Sequence, residues 1–355
     1  MGLSMAPAGS TSAEQRIRHI PGGGRLLTAG FERVERHPAL ALAREEGLRL
    51  VLGGAPSQEV AAALEADLGL TCAIVRSVGQ VQGGGPVRSV PDAVDRLGPA
   101  VLEAILRSTP TYDLLGLTGG ANLRHERLRL HVLGVQRAAD RIAEMVGIEG
   151  RDELALAAIL HDIGRLALGA MHPHYEERFD RHTAPPDDRV AAERREFGMD
   201  HALIGGVLVR SRWSVKARIA DAVAHHHDPQ AEGMAAVIRV ADMITAHLED
   251  APMDFEALGD AAAACGLDDA GVSRLLYELP MGKGASPRVG RECPLSAREL
   301  EALRLLAAGK VYKEIARELG LSASTVRTHL HNVYRKLGAV DRAQAVLTAT
   351  DQGWI

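Results

Sequence analysis

Histidine and aspartate side chains recur at positions that helical spacing would turn toward the interior of this protein. The stretch AAILHDIGRLALG, residues 157–169, sets His161 and Asp162 side by side in an otherwise apolar helix. Burying an unpaired carboxylate is very costly, so Asp162 requires a cation or a hydrogen-bond network as its partner. Further metal-capable side chains share the apolar faces of other predicted helices; they are His131, His201, His226, His227 and Asp242.

These residue types indicate a divalent metal centre, at which we expect Mn, Fe, Mg, Zn or Ni rather than a soft metal. The expected ligands of a first site are His131, His161, Asp162 and Asp242. A second site would be formed by His201, His226 and His227. A bound metal would activate water and draw charge from a phosphoryl oxygen. The alternative is that each residue is an ordinary core residue satisfied by a neighbour. Other histidines are predicted to lie at the surface; they are His172, His174, His182 and His225.

The composition predicts an all-α fold. A length of 355 residues indicates two or three domains, and an apolar content of 46% is ample for their cores. Aromatic residues make up only 3% of the chain, so Leu, Ala and Val must fill the interior, which favours helices over sheets. Apolar residues recur with helical spacing, and no sustained alternation indicates a strand.

Changes in composition divide the chain into four segments. Residues 1–26 end in a glycine cluster and are predicted to be a disordered tail. Residues 27–280 form the predicted helical body. Residues 281–292, rich in Gly and small residues, form a linker, and residues 293–355 form a small helical domain.

Cysteine usage and hydropathy indicate a cytoplasmic protein without a membrane partner. The three cysteines are widely spaced and include no CxxC, which argues against a disulfide framework or a thiolate zinc site. No uninterrupted apolar run reaches membrane-spanning length. The N-terminus lacks the apolar core of a signal peptide.

The C-terminal segment has the pattern of a helix-turn-helix domain. Ser296 and Glu299 form a capping box ahead of a first helix. Gly309 and Gly320 end the first and second helices. A third helix, STVRTHLHNVYRKL at 324–337, places basic and polar residues opposite its apolar stripe, as in domains that enter the major groove.

Charge is distributed unevenly between this segment and the rest of the chain. From residue 281 onward there are 12 Lys and Arg against 7 Asp and Glu, whereas the whole chain carries −5. A basic C-terminal domain on an acidic body indicates nucleic acid as the partner of that domain alone. The alternative is a basic three-helix module that binds protein.

The same segment resembles the LuxR-type helix-turn-helix family. The matching residues are Arg298-Glu299, Glu314-Ile315-Ala316, Ser322, Thr325-Val326, His329, Lys336-Leu337 and Arg342. The resemblance implies double-stranded DNA as partner and a homodimer. It implies base-edge contacts from Arg327, Thr328 and His331. It implies phosphate contacts from Lys310, Lys313, Ser324, Thr325 and Lys336. Val311 departs from the family, which usually has a small polar residue there.

The order H…HD…D resembles the HD superfamily of metal-dependent phosphohydrolases, and its HDOD branch more closely. The segments that carry this resemblance are EADLGLTCAIVRSV (65–78), SVPDAVDRLGPAVLEAIL (89–106), AAILHDIGRLAL (157–168), EFGMDHALIGGVLVRSRW (196–213) and DAVAHHHDP (221–229). The resemblance implies a helical HDOD body with an HD core at about 126–250. HDOD domains are mostly regulatory and many have lost the metal residues, which this chain retains. Arg165 stands where catalytic relatives usually carry Lys, and Gly79-Gln80 where the family commonly has Asn-Ser.

Together the two resemblances imply a signal-responsive transcriptional regulator, in which an HDOD-like body controls a four-helix DNA-binding domain. One alternative is an active metal-dependent phosphohydrolase, with Asp162 and Arg165 as its catalytic residues and the DNA-binding domain as an accessory. The other is a non-catalytic body that binds a nucleotide or a protein partner in the old site.

Overall fold

The computed structural model describes residues 23–79, 85–113, 120–179, 185–279, 293–307, 310–337, 339, 342–351 and 354. The described residues are largely helical, as predicted. The helices of the body are α1 (Gly23–Val34), α2 (Ala41–Leu52), α3 (Ser57–Glu65), α4 (Leu68–Gly79), α5 (Val90–Ser108), α6 (Gly120–Val146), α7 (Arg151–Leu160), α8 (Ile163–Met171), α9 (Tyr175–Phe179), α10 (Pro186–Phe197), α11 (His201–Ser211), α12 (Ala217–His225), α13 (Gly233–Leu248), α14 (Phe255–Ala264) and α15 (Asp269–Glu278).

Two short strands, β1 (Ala39–Leu40) and β2 (Thr111–Tyr112), pair in parallel in the body. Their pairing holds the chain just before α2 against the chain that follows α5. Two residues are too few to produce an alternating pattern, so no sequence pattern predicts these strands. The fold remains all-α in class.

The first described helix begins at Gly23, four residues before the predicted start of the body. Residues 1–22 of the predicted tail lie outside the described residues, but residues 23–26 are helical rather than tail. Helix α1 packs against α8, where a Cβ on Gly30 would lie 3.1 Å from the carbonyl oxygen of Ala167. This packing overrides the low helix propensity of glycine. The predicted linker, 281–292, lies outside the described residues.

A buried ion pair fixes α6 against the N-terminal helices. The guanidinium of Arg129 donates to both carboxylate oxygens of Glu126 at 2.8 and 2.9 Å, and to the carbonyl oxygen of Ala66 at 3.1 Å. The hydroxyl of Tyr112 donates to the same carboxylate at 3.0 Å. Removing one partner of such a pair leaves an uncompensated buried charge. The pair therefore holds the turn of α6 that carries His131, two residues after Arg129.

Helices α8 and α11 approach each other at a glycine. A Cβ on Gly164 would lie 1.9 Å from the carbonyl oxygen of His201 and 2.8 Å from the amide nitrogen of Gly205. No side chain fits between backbones at these distances. Gly164 therefore sets the spacing that brings the first turn of α11 beside Asp162.

Among the described residues, the segment Arg151–Met171 is long and apolar enough to cross a membrane, with a mean hydropathy of 1.5. It comprises α7 and α8, and 72% of its apolar window is buried inside the protein. Because it also carries His161 and Asp162, its apolar character is that of a core element of the body.

The C-terminal domain contains four helices, as predicted, with a core of its own. They are α16 (Ala297–Ala307), α17 (Tyr312–Leu319), α18 (Ala323–Leu337) and α19 (Arg342–Asp351). Val326, Leu330 and Val333 of α18 are fully buried in this core. The inward stripe predicted for the third helix is therefore confirmed.

The close approach at Gly164 gives a stability prediction. Gly164→Ala should destabilise the protein by about 3 kcal/mol, because the backbone of α11 would have to move away. Gly259→Ala on α14 is the control, since no atom lies within 4 Å of its added methyl group. It should leave stability unchanged or raise it by up to about 1 kcal/mol. Chemical denaturation measures both, and equal stability of the two variants would contradict the account.

His37 gives a pH prediction. Burial, with the charges of His125 and Arg33, lowers the pKa of His37 to about 3. Below about pH 6.5 His37 therefore binds a proton in the unfolded state but stays neutral in the folded state. Stability should fall as the pH drops through that value, by on the order of 2 kcal/mol at pH 5.

The test compares melting temperatures of the wild type and His37→Asn between pH 7.5 and 5. The variant should lose part of the acid sensitivity, whereas substitution of the exposed His174 by Asn should retain all of it. A pH dependence that His37→Asn leaves unaltered would disprove the assignment.

Candidate metal centre and DNA-binding face

The structure brings all seven predicted metal ligands into one buried cluster. His131 lies on α6, His161 and Asp162 join α7 to α8, and His201 begins α11. His226 and His227 follow α12, and Asp242 lies on α13. Their exposed fractions run from 0 to 6%. Five separate segments of the bundle thus converge on a single point.

Asp162 lies between the two predicted groups of ligands. Its Oδ1 is 3.0 Å from Nε2 of His201, while its Oδ2 is 3.6 and 3.7 Å from Nε2 of His131 and His161. Asp242 also faces both ways, with Oδ1 3.1 Å from His131 Nε2 and Oδ2 3.8 Å from His227 Nε2. The two groups therefore form one cluster, with carboxylates between them.

Three overlapping triads in this cluster have ligand atoms within 4.8 Å of one another. They are His201, His226 and His227; His131, His161 and Asp162; and His161, His226 and Asp242. Each triad has a spacing that one cation could span.

Hydrogen bonds at Nδ1 turn the Nε2 lone pairs of two histidines toward the pocket. Nδ1 of His161 donates to the carbonyl oxygen of Ala158, and Nδ1 of His226 donates to that of Val223, both at 2.7 Å. This fixes the tautomer with an unprotonated Nε2, the form that binds metals. Within the described part of the chain, neither Nε2 has a hydrogen-bond partner. Two buried, unsatisfied lone pairs fit a cation.

In the other three histidines of the cluster, Nδ1 faces a carboxylate instead of a backbone carbonyl oxygen. Glu249 lies 3.0 Å from Nδ1 of His131 and Glu193 lies 2.7 Å from Nδ1 of His201. Asp187 lies 3.1 Å from Nδ1 of His227. Carboxylates behind metal-bound imidazoles orient the ring and raise its basicity. Sequence reasoning missed these three residues.

The Nε2 atoms of His201 and His227 are 3.2 Å apart. At this distance one Nε2 can donate a hydrogen bond to the other, and the Nε2 of His201 also lies 3.0 Å from Oδ1 of Asp162.

The charges of the cluster are closely balanced. Burial lowers the pKa of His131, but the carboxylates of Glu249 and Asp242 outweigh it and raise that pKa to about 10. Burial also lowers the pKa of His201, but the carboxylates of Glu193 and Asp162 outweigh it and raise that pKa to about 10. Burial and neighbouring imidazoles hold the pKa of His226 well below its usual value. The site thus combines protonated and neutral imidazoles around two carboxylates.

Of the four histidines predicted to lie at the surface, two are exposed, one is half-buried and one lies outside the described part. His174 and His225 are exposed. His172 is half-buried and stacks on Phe197, with ring centroids 4.1 Å apart. His182 lies outside the described residues.

Helix α18 presents the predicted DNA-contacting side chains to solvent. Ser324, Arg327, Thr328 and His331 are exposed, and Thr325 is half-buried. The hydroxyl of Ser322 caps the helix by accepting from the amide of Thr325 at 3.1 Å. A helix N-terminus with exposed hydroxyls suits phosphate.

The predicted phosphate-contacting lysines have different surroundings. Lys313 is exposed. Lys310 forms an ion pair with Glu318. Lys336 Nζ lies 2.6 Å from the carboxylate of Glu299, which also accepts from the amide of Ser296 at 2.7 Å. Lys336 thus braces α18 against the capping box of α16, a contact that sequence reasoning did not anticipate. Val311, the departure from the family, is exposed at the start of α17.

Comparisons with known families divide the chain into two parts. Residues 53–229 match the HDOD domain, and residues 293–349 match the luxR family of bacterial regulatory proteins. The MmoQ response regulator of Methylococcus capsulatus str. Bath has a similar fold, with a TM-score of 0.53 and 25% identity. The alignment covers 69% of this chain and 99% of that one.

Curated relatives share a single domain with this chain. It is 47% identical over 64 residues to YvfU, an uncharacterized transcriptional regulatory protein of Bacillus subtilis (strain 168). It is 41% identical over 63 residues to MalT, an HTH-type transcriptional regulator of Yersinia pestis (strain Pestoides F). Each alignment covers 18% of this chain, and they cover 32% of YvfU and 7% of MalT. Both resemblances found in the sequence are confirmed: the chain carries an HDOD domain followed by a C-terminal helix-turn-helix domain of the luxR family.

Proposed function

We propose that this protein is a transcriptional regulator in which the HDOD body controls DNA binding by the luxR-family domain. The observation that carries the proposal is the exposed face of α18 in a domain of that family. Arg327, Thr328 and His331 project from it, while its opposite stripe is buried. An Arg side chain suits a guanine edge in the major groove. The basic balance of residues 281–355 supports double-stranded DNA as the partner.

The oligomeric state and compartment follow from this role. Paired half-sites on DNA suit a two-fold protein, so we infer a homodimer in the DNA-bound state. A DNA-binding regulator acts in the cytoplasm of a bacterial cell, without a membrane partner. A nucleotide or a protein partner bound by the HDOD body would supply the signal.

We propose that the body holds one or two divalent cations of the class Mn, Fe, Mg, Zn or Ni. The unsatisfied Nε2 atoms of His161 and His226 support this most directly, because buried lone pairs without partners are costly. His131, Asp162 and Asp242 would complete one half of the centre, and His201 and His227 the other. When bound, such a metal supplies Lewis acidity and an activated water.

A second candidate is a metal-dependent phosphohydrolase. The complete set of seven ligands, with Asp162 between the halves, favours it. The burial of every ligand argues against it, because a phosphate ester would have to reach Asp162 in a cluster whose side chains are each 6% exposed or less. Arg165, its other predicted catalytic residue, points at Asp162 rather than into open space. We therefore place regulation ahead of turnover.

The DNA-binding face predicts separate effects of two substitutions. Arg327→Ala should weaken binding to the recovered target sequence about 10- to 100-fold, because a base contact is lost. Lys313→Ala should weaken binding to all sequences and lower the salt slope by about one unit. Fluorescence anisotropy with a fragment recovered by genome-wide DNA binding measures both.

The control is Arg298→Ala on α16, which removes an exposed arginine paired with Glu301. It should bind as the wild type does. If Arg327→Ala also binds with unchanged affinity, the proposed DNA-binding face of α18 is wrong.

The metal centre predicts opposite outcomes for two adjacent histidines. His226→Ala should lower the bound metal at least about tenfold after loading with Mn²⁺ or Fe²⁺, as loss of a ligand does. His225→Ala, its exposed neighbour, should retain the wild-type content. Mass spectrometry of the metals gives the result, and a screen of phosphodiester substrates on the same loaded samples tests turnover. Equal metal content in the two variants would contradict the proposed metal centre.

A further inference from the structure

A cavity of about 330 Å³ lies where the HDOD body meets the C-terminal domain. Residues of α6 and α13, with Leu279 after α15, form its wall on the body side. Residues of α16 and α19 form the opposite wall. The volume is at the lower end of the range for small-molecule sites in proteins. A small molecule bound here would therefore touch both domains.

Apolar side chains make up most of the lining. Leu248 at the end of α13 is 42% exposed, although the rest of that helix is mostly buried. Exposed apolar surface shared by several side chains is typical of a binding site. The apolar side chains of the lining are those of Leu130, Leu133, Leu248, Leu279, Ala307 and Val346. The cavity is therefore suited to the apolar part of a ligand.

The charged residues of the lining favour an anion. Arg137 of α6 and Arg342 of α19 contribute two guanidinium groups from opposite walls, and Glu249 contributes one carboxylate. Oε2 of Glu249 lies 3.0 Å from Nδ1 of His131, so this carboxylate is turned toward the metal cluster. Nη2 of Arg342 donates to the carbonyl oxygen of Leu306 at 2.7 Å. A guanidinium has five N–H groups, so it can hold that carbonyl and a carboxylate at once.

We propose that this cavity binds a small organic anion with an apolar body, whose carboxylate is held by Arg137 of the body and Arg342 of the C-terminal domain. Because the ligand contacts both domains, it binds the arrangement in which they adjoin and stabilises that arrangement. As an input to DNA binding, this inference rests on the proposed function, to which it adds a second signal. The binding site itself depends on the cavity alone.

The cavity adjoins the metal cluster at the contact of α6 with α13. A Cβ on Gly134 would lie 2.6 Å from Cγ2 of Thr245, so the two helices are in direct contact there. One turn earlier on α6, Nε2 of His131 lies 3.1 Å from Oδ1 of Asp242. Glu249 belongs to both places, because it lines the cavity and contacts His131. The proposed ligand and a cation in the cluster would therefore act on the same pair of helices.

The experiment titrates the full-length protein with octanoate by isothermal calorimetry, without DNA. Octanoate should bind once per chain. The uncharged alcohol 1-octanol, with a chain of the same length, should bind at least about tenfold more weakly, because it cannot form charge-assisted hydrogen bonds with the two arginines.

One substitution on each wall tests whether both domains form the site. Arg137→Gln removes a guanidinium from the body side and should weaken octanoate binding at least about tenfold. Ala307→Phe places a ring in the cavity from the exposed end of α16 and should weaken it at least as much.

Each substitution has a matched control on its own helix. Arg141→Gln lies one turn further along α6, where the guanidinium contacts Glu278 and Glu144. Ala297→Phe adds the same ring at the exposed first residue of α16. Both controls should bind octanoate as the wild type does.

A wild type that binds no octanoate, or that binds 1-octanol equally tightly, would overturn the proposed site. Wild-type affinity in Ala307→Phe would do the same, because octanoate would then be bound elsewhere. Circular dichroism establishes whether the variants fold; if Arg137→Gln does not, the substitution at the exposed Ala307 decides. Octanoate binding by a protein that binds no DNA would contradict the proposed function alone, whereas DNA binding without octanoate binding would contradict this site alone.

Discussion

The burial of the Asp162 carboxylate is the constraint on which the body depends. A charge in the interior must be matched, and here Arg165, His201 and neighbouring imidazoles together hold the pKa of Asp162 well below its usual range, against the opposing effect of burial. Each partner comes from a different element, so α8, α11 and the helices around them are fixed relative to one another. The glycine contact between α8 and α11 makes this geometry sterically attainable. The stability of the body and the proposed metal binding therefore depend on the same residues.

The burial of the cluster is also the reason why we propose regulation rather than turnover. Ligands that are almost wholly buried can respond to a small cation, but a phosphate ester needs room beside the bridging carboxylate. A change of charge at such a centre alters the partners of His131 and His227, and through Glu249 and Asp187 it reaches the start of α10 and the end of α13. In the function that we propose, cation occupancy of such a centre would shift these helices and so control the attached DNA-binding domain.

The sequence predicted that the seven residues converge in the interior, because helical spacing assigns a face to each of them; that they bind a metal stays a prediction. His131, His161 and Asp242 could be identified from their apolar neighbours alone. The carboxylates behind the histidines could not, since Glu249 meets His131 across 118 residues and no local pattern links them. Lys336 shows the same limit in the C-terminal domain: the family resemblance predicts a phosphate contact for it, but no local pattern indicates its ion pair with Glu299. The two-residue strands and the helical start at Gly23 likewise depend on packing rather than on local propensity.

The coupling of the buried carboxylate to DNA recognition is the central claim. Genome-wide DNA binding by the wild type and by Asp162→Ala tests it most directly. We expect the wild type to occupy a discrete set of sites that share a two-fold sequence, and the folded variant to lose or redistribute that occupancy although α18 is untouched. Identical site sets and occupancies for the two proteins would contradict the account.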